Sequence, residues 1–311
     1  MVRDIWKLYG RSEINIMFDI NSRDLIAMVI VYHPDVEKLI NNINRYIQLV
    51  NRLLIWQNSS VSEKDRETVL QRCYDSNKIV FMGSGANQGL SYALNEGLKY
   101  SIRHNYNYFM SMDQDSYWIN FPDYLDSINA LSLPEKTAII GPRVLNLDKY
   151  STLTNEAKNH YEAKQFVITS GAIYKTRIVN EIGGFNSSYF IDAIDEELCL
   201  KARYNGYNTI VVNAGLLGQH FGNYSEITIF GKTISCSNYT AFRYYHIVRN
   251  HIWLCKSGFL SHKERRLVLY NYVISPLIKV ALFENDKITK LSAMIKGVII
   301  GITLKPEEYK S

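Results

Sequence analysis

The sequence predicts a doubly wound α/β sheet, and three observations point to it. A continuous apolar run from Leu25 to Tyr32 reads as a strand buried on both faces of a parallel sheet. Strand and helix patterns then alternate β-α-β-α-β-α-β as far as Ser116. Polar turn clusters close the second and fourth strands, at the edge where sheets of this kind bind ligands.

The elements follow in order. Residues 1–24 are mixed and polar and read as an N-terminal extension. After the first strand, Pro34 suits the opening turn of a helix. Val36, Leu39, Ile40, Ile43 and Ile47 then keep helical spacing to about Val50. A strand from Arg52 to Gln57 ends in the turn-forming Asn58-Ser59-Ser60. A polar helix (Ser62 to Cys73) and a short strand (Lys78 to Met82) lead to the glycine-bearing loop Gly83 to Gly89 and a helix to about His104. Tyr106 to Met112 is the fourth strand, closed by Asp113-Gln114-Asp115-Ser116. Beyond Pro134, strands are predicted at Thr137 to Ile140, Phe166 to Tyr174 and Thr209 to Val212, with a helix from Asp195 to Asn205. From Tyr239 the chain reads as helices broken near Gly258 and Pro276. The expected organisation is an extension (1–24), a catalytic domain (25–235) and a mostly helical C-terminal appendage (236–311).

Composition sets bounds. In 311 residues, 47% are hydrophobic and 21% charged, so a core can be buried. A net charge of +5 is too mild for a nucleic-acid footprint, and no nucleic-acid partner is expected. The cysteines Cys73, Cys199, Cys236 and Cys255 lie far apart, which argues for reduced thiols rather than zinc or disulfide scaffolds. Charges occupy the N-terminus where a signal peptide needs apolar residues, and no apolar run approaches membrane-spanning length. A cytoplasmic protein is the resulting expectation. Tyrosine is over-represented, 23 against 12 Phe, which suits sugar-stacking clefts and equally a bias of the source genome.

The chemistry-bearing segments each allow a plain structural reading. Gly83-x-Gly85-x-x-x-Gly89 only partly matches a dinucleotide fingerprint, its third glycine falling one residue late. Asp113 and Asp115, one residue apart after a buried strand, suit Mg²⁺ or Mn²⁺ bridging to phosphates, or else cap a turn. Asp192, Asp195, Glu196 and Glu197 crowd a helix start, where acids favour the macrodipole and where a fixed carboxylate can serve as general base. His220 sits among glycines after a strand, as a metal or phosphate contact or simply an exposed imidazole. Arg249 and Asn250 suit a diphosphate or a solvated helix face.

Taken together, these segments resemble the family-2 glycosyltransferases of GT-A fold, a Rossmann-like nucleotide-diphospho-sugar transferase fold, and most of all their rhamnosyltransferase-like branch. The resemblance runs from about Leu25 to the C-terminus. It is carried by Tyr32-His33-Pro34, by Gln57-Asn58-Ser59-Ser60, and by Asn87 to Gly97 in the pattern N-x-G-x-x-x-A-x-N-x-G. Asp113-Gln114-Asp115 looks like the D-x-D motif, and Ser170-Gly171-Ala172 with Gly183-Gly184-Phe185-Asn186 like the acceptor region. Asp192 to Arg203, followed by Gly206-Tyr207, is similar to the acidic motif of the branch.

The resemblance implies an inverting hexosyltransferase that requires a divalent cation, Mg or Mn. Asp115, Asp113 and His220 are the implied metal set. Tyr32, His33, Asn58, Asn87, Asp113, Gln114 and Arg249 are implied in donor binding. Asp195 is the implied catalytic base, and Ser170, Gly171, Asp192 and Glu196 face the acceptor. Gln57 departs from the family, since an Asp that reads the nucleobase commonly stands there. Ile194-Asp195 likewise replaces the usual Glu-Asp pair. The implied partners are a nucleotide-diphosphate sugar and a glycan or lipid-linked glycan of a cell-surface polysaccharide. The basic, apolar C-terminal stripes fit a peripheral contact with the inner face of the membrane, and fit slightly better packing on the catalytic domain or a homodimer interface. Two rival readings are a nucleotidyltransferase, disfavoured by His33-Pro34-Asp35 where a glycine- and lysine-rich loop is expected, and a non-catalytic nucleotide-sugar-binding protein.

Overall fold

The computed structural model describes residues 14–147, 160–220, 225–229 and 232–308. In chain order the first half comprises β1 (Asn15–Met17), β2 (Leu25–Val31), α1 (Val36–Ile43), β3 (Arg52–Gln57), α2 (Glu63–Arg72), β4 (Ile79–Met82), α3 (Leu90–Arg103) and β5 (Tyr108–Asp113). From β2 onward these follow the predicted alternation, except that the first helix ends at Ile43 rather than near Val50; β1 lies in the segment expected as an extension. β6 (Tyr117–Trp118), α4 (Phe121–Ala130), β7 (Ser132–Pro134), β8 (Thr137–Asn146), β9 (Tyr161–Ala163), β10 (Ile173–Lys175) and α5 (Thr176–Glu181) follow. Then come α6 (Ile194–Tyr204), β11 (Asn208–Gln219) and a hairpin, β12 (Ser225–Ile229) with β13 (Lys232–Cys236).

Among the described residues, the main sheet has nine strands in the order β4-β3-β2-β5-β10-β8-β11-β6, with β9 against β11. β4, β3, β2 and β5 run parallel, and β10 enters antiparallel to both β5 and β8. β2 shows why its sequence is apolar throughout. Leu25, Ala27, Val29 and Val31 join the core cluster on one face, while Ile26, Met28 and Ile30 join the cluster on the other. The order reverses between β2 and β5, so their carboxyl ends flank a crevice at the switch point.

Residues 14–24 are attached to this domain rather than trailing from it. β1 pairs with β7, and Phe18 and Ile20 are buried in the first core cluster. Three strand predictions are corrected. Only Ile173 and Tyr174 of the Phe166–Tyr174 segment are strand, because the chain turns at Gly171 in the left-handed region (φ 76°). β8 and β11 run well past their predicted ends, lying parallel to each other as far as Asn146 and Gln219.

The C-terminal region is helical: α7 (Ala241–Lys256), α8 (His262–Leu269), α9 (Ser275–Phe283) and α10 (Lys287–Thr303). Gly258 breaks it as expected (φ 84°), but Pro276 does not. A π-turn over Tyr270–Ile274 carries α8 into α9, and the proline is accommodated at the first turn of α9. The second break lies instead at Asp286, which takes a left-handed conformation before α10. The rod His262–Phe283 is long and apolar enough to cross a bilayer by length and composition alone. The region is also more than an appendage. Trp253 belongs to the second core cluster of the sheet, and its indole donates to Leu304 O at 3.0 Å. α10 packs tightly on α7, where a Cβ at Gly297 would stand 2.7 Å from Tyr245 O.

Candidate active site

The two strand ends at the switch point are tied to each other by Gln114. Its Nε2 donates to Tyr32 O (3.0 Å) and its Oε1 accepts from Tyr32 N (2.8 Å), while Asn42 Nδ2 donates to Gln114 O. The amide is thus consumed in shaping the crevice. His33 takes φ 47°, and its N–H donates to Ser59 Oγ at 2.7 Å. Tyr32 and His33 remain exposed, ring edge against ring face.

Asp113 ends β5 and is propped from below. Its N–H donates to Ser170 Oγ at 3.1 Å, and Gly171 N donates to Ser111 O at 2.7 Å. Ser170 is buried, and a Cβ at Gly171 would stand 2.9 Å from Pro142. These two residues therefore form a floor for Asp113 and offer no open face to an acceptor. From the end of β11, Gln219 Nε2 donates to Asp113 Oδ2 at 3.3 Å, and Gln219 Oε1 is buried without a hydrogen-bond partner. His220, the next residue, is exposed.

Asp113 faces Asp115 across the turn and Asp195 across the crevice. Burial, then the charges of Asp115 and Asp195, push its carboxyl up to about 7 against the relief that Arg243 supplies. Burial, followed by the charge of Glu196, raises Asp195 to about 7 as well. Asp195 occupies the first turn of α6, where its Oδ1 accepts from Glu196 N at 3.0 Å. A carboxylate so placed is a proton acceptor matched to neutral pH.

The chain reaches α6 through strained backbone. Asp192 (φ 66°) and Ala193 (φ 61°) are consecutive non-glycine residues in the left-handed region. Helix α7 holds them there. Arg243 pairs with Asp192 through Nε and Nη2 at 3.0–3.2 Å, and Asn250 Nδ2 donates to Ile191 O and Asp192 O at 2.8 and 2.9 Å. Arg243 and Asn250 lie seven residues apart, on one face of the helix. A third tie reaches Glu196, whose Oε2 meets His251 Nε2 at 2.9 Å and whose Oε1 accepts from Tyr272 O–H at 2.5 Å. His251 stacks on Tyr272 with ring centroids 3.6 Å apart. Burial opposes charge on both partners, yet their pairing holds Glu196 below the usual carboxylate range and His251 above the usual imidazole range.

The geometry sorts the predicted residues. Asp113, Asp115 and Asp195 come together around one crevice, with Tyr32, His33 and Gln114 at its rim. Asp192 and Glu196 have their carboxylates engaged by α7 and Tyr272, so they position the α6 start. Asn58 is buried, its Oδ1 accepting from Trp56 Nε1 at 3.0 Å, and it shapes the loop behind the site. Asn87 is exposed and its Oδ1 accepts from Gly89 N. Arg249 is fully buried, its Nη2 donating to Ser188 O and set against His246 Nδ1, which leaves it no surface for a diphosphate. Gln57, at the end of β3, accepts from Arg66 Nη2 at 2.8 Å. Sequence reasoning missed Gln219, Arg243, His251 and Tyr272; the seven-residue spacing of Arg243 and Asn250 was the one signal available.

Among the described residues, no three His, Cys, Asp or Glu side chains gather closely enough to form a metal cage of their own. The crevice nonetheless fits a divalent cation held jointly with a ligand's phosphates. The charge of Asp115 raises the proton affinity of Asp113, and the unpartnered Gln219 oxygen beside Asp113 adds a hard acceptor.

No family model matches the chain. Over 290 residues it is 24% identical to the dTDP-rhamnosyl transferase RfbF of Shigella flexneri, covering 89% of this chain and 93% of that protein. Among solved structures, the mannosyltransferase PcManGT of Pyrobaculum calidifontis, in complex with GDP-Man and Mn²⁺, superposes with TM-score 0.59 at 13% identity, covering 94% of this chain and 91% of that one. TarS 1–349 of S. aureus, in complex with UDP-GlcNAc, gives TM-score 0.56 at 11% identity, covering 88% and 81%. The fold is that of the GT-A glycosyltransferases. In sequence the chain is similar to a rhamnosyltransferase, and both findings agree with the resemblance read from its motifs.

Proposed function

We propose that the chain is a metal-dependent, inverting glycosyltransferase that moves a sugar, rhamnose in the first instance, from a nucleotide diphosphate to a glycan or lipid-linked glycan. One observation carries the reading: the paired aspartates at the end of β5 sit electrostatically against a recessed carboxylate at the start of α6, across the switch-point crevice. Donor and acceptor ends of a single displacement would be placed on its two sides. The relative's dTDP-rhamnosyl name supports the donor class, and the Mn²⁺ in the mannosyltransferase complex supports the cation.

Asp113 and Asp115 would hold the cation, which when bound neutralises charge on the departing nucleotide diphosphate. Gln219 fixes Asp113 by its amide N–H and presents its free oxygen beside it. Asp195 accepts the proton of the attacking acceptor hydroxyl, and the strained 192–193 backbone, held by Arg243 and Asn250, sets its position. Attack from the face opposite the leaving diphosphate inverts the anomeric centre.

The test is a thermal-shift screen of dTDP, UDP and GDP and their sugars with Mn²⁺ or Mg²⁺, followed by transfer assays with the stabilising donor. A true donor raises the melting temperature by mass action. Retention of anomeric configuration in the product would remove Asp195 from its assigned role. Donor-independent behaviour toward every nucleotide would remove the enzyme reading altogether.

A further inference from the structure

The outer face of the C-terminal helices is apolar and basic at once. Along the α8–α9 rod, Ile274, Ile278 and Leu282 repeat at helical spacing and stand about half exposed. Along α10, Ile288, Ile295 and Ile299 repeat in the same way, Ile288 being 84% exposed. Their partners on the inner faces are buried, Val273 and Val280 on the rod and Met294, Gly297 and Gly301 on α10. The apolar rows are therefore outward stripes and not edges of the core.

Charge is distributed to match. Residues 262–303 hold seven Lys and Arg against three Asp and Glu, a net +4 of the chain's +5. Two of those acids are occupied inside the protein, Glu284 by Lys290 at 2.8 Å and Glu264 by Arg203 at 2.9 Å. Lys263, Arg266, Lys287 and Lys296 are exposed, against exposed Asp286.

We infer that this face lies on an anionic lipid surface, with the isoleucine stripes entering the headgroup boundary and the basic residues meeting the lipid charge. A second copy of the chain fits less well, because a self-complementary contact would bring the same basic residues against each other. Spanning is disfavoured by the ties that hold the rod along the protein: Tyr272 to Glu196, Lys279 Nζ to Ser235 O at 2.9 Å, and buried Val273 and Val280. The same rod carries Tyr272, whose hydroxyl meets the residue next to Asp195, so a docked protein would present the crevice at a fixed relation to the bilayer. The inference rests on the helical face and not on the assigned chemistry.

Sedimentation of the full chain with vesicles tests it. Retention is expected on phosphatidylcholine mixed with phosphatidylglycerol, and not on phosphatidylcholine alone, and added salt should weaken it. Ile278→Glu with Leu282→Glu should abolish retention. Arg266→Gln with Lys296→Gln, which leaves the apolar rows intact, should weaken it about tenfold. The melting temperature and far-UV circular dichroism of each variant, unchanged from the parent, report that the fold persists. No retention of the parent chain on anionic vesicles would overturn the inference. So would retention indifferent to both variants, or light scattering that shows a dimer which the Ile278→Glu variant abolishes.

Discussion

Asp113 and Asp195 are residues whose sequence neighbourhoods announce them and whose surroundings make them costly. Each is recessed, each carries a neighbouring carboxylate, and each is pushed up to about 7. For Asp195 that is the poise a general base needs, and Asp195→Asn should lower turnover by about 10²–10⁴-fold while leaving nucleotide affinity unchanged. Steady-state rates and a nucleotide titration measure both halves of this statement, and loss of nucleotide binding would instead make Asp195 structural. For Asp113 the cost appears in stability. Replacing it with Asn removes one charge from the repelling group, so the ligand-free protein should gain about 1–2 kcal/mol at pH 8, discounting for solvent screening. A rise in melting temperature of about 2–6 °C by differential scanning fluorimetry, with the metal-and-nucleotide shift lost, is the expected outcome.

The approach to α6 shows what an element contributes that its own residues do not. Two consecutive left-handed residues are unstable in isolation, by about 1–3 kcal/mol each, and here α7 over-determines them through Arg243 and Asn250. Arg243→Gln removes the bidentate half of that clamp. It should lower kcat about tenfold by displacing Asp195, and, because Arg243 also offsets the charge of Asp113, it should move metal-dependent nucleotide binding to higher pH. A change confined to KM would show that Arg243 binds donor directly. The clamp also marks the limit of what the sequence made legible. Every parallel strand from Leu25 to Asp113 could be read from local apolar runs and turn residues, because buried strands and their ends are local signals. Asp113, Asp115 and Asp195 were legible for the same reason, as acids placed at element ends. Arg243, Gln219 and Tyr272 act from 51, 106 and 76 residues away, and no local pattern encodes such a meeting. The same reasoning explains the misassignment of Arg249, where only the tertiary fold reveals that its helix face points inward.

At the scale of the whole molecule, the candidate site and the helical region share contacts close enough that they should melt as one body. Trp253 lies in the core of the sheet, while His251 and Tyr272 close on Glu196 beside Asp195. The pH dependence of folding should show it. Glu196 is held below its ordinary 4.5, so its contribution is complete above that value and is lost as pH falls through the lowered one. His251 is held above its ordinary 6.5, so its contribution is complete below that value and is lost as pH rises through the raised one. Asp113 and Asp195, raised from 3.8 to about 7, add stability that fades as pH climbs through that interval. The ligand-free protein should therefore melt highest near pH 4 and lose stability steadily toward pH 8, with His251→Gln flattening the alkaline part of the decline. Truncation tests the same unity directly. If the helices were an appendage, a chain ending at Asn238 would melt cooperatively on its own. With α7 removed, Trp253 leaves the core, the 192–193 backbone loses both of its clamps, and Glu196 is left as a recessed carboxylate without its imidazole. Removal of one partner of such a pair typically costs about 3–5 kcal/mol, before the lost packing is counted. The truncated chain should show no cooperative calorimetric transition and should aggregate, whereas a chain ending at Lys305 should retain the parent's transition.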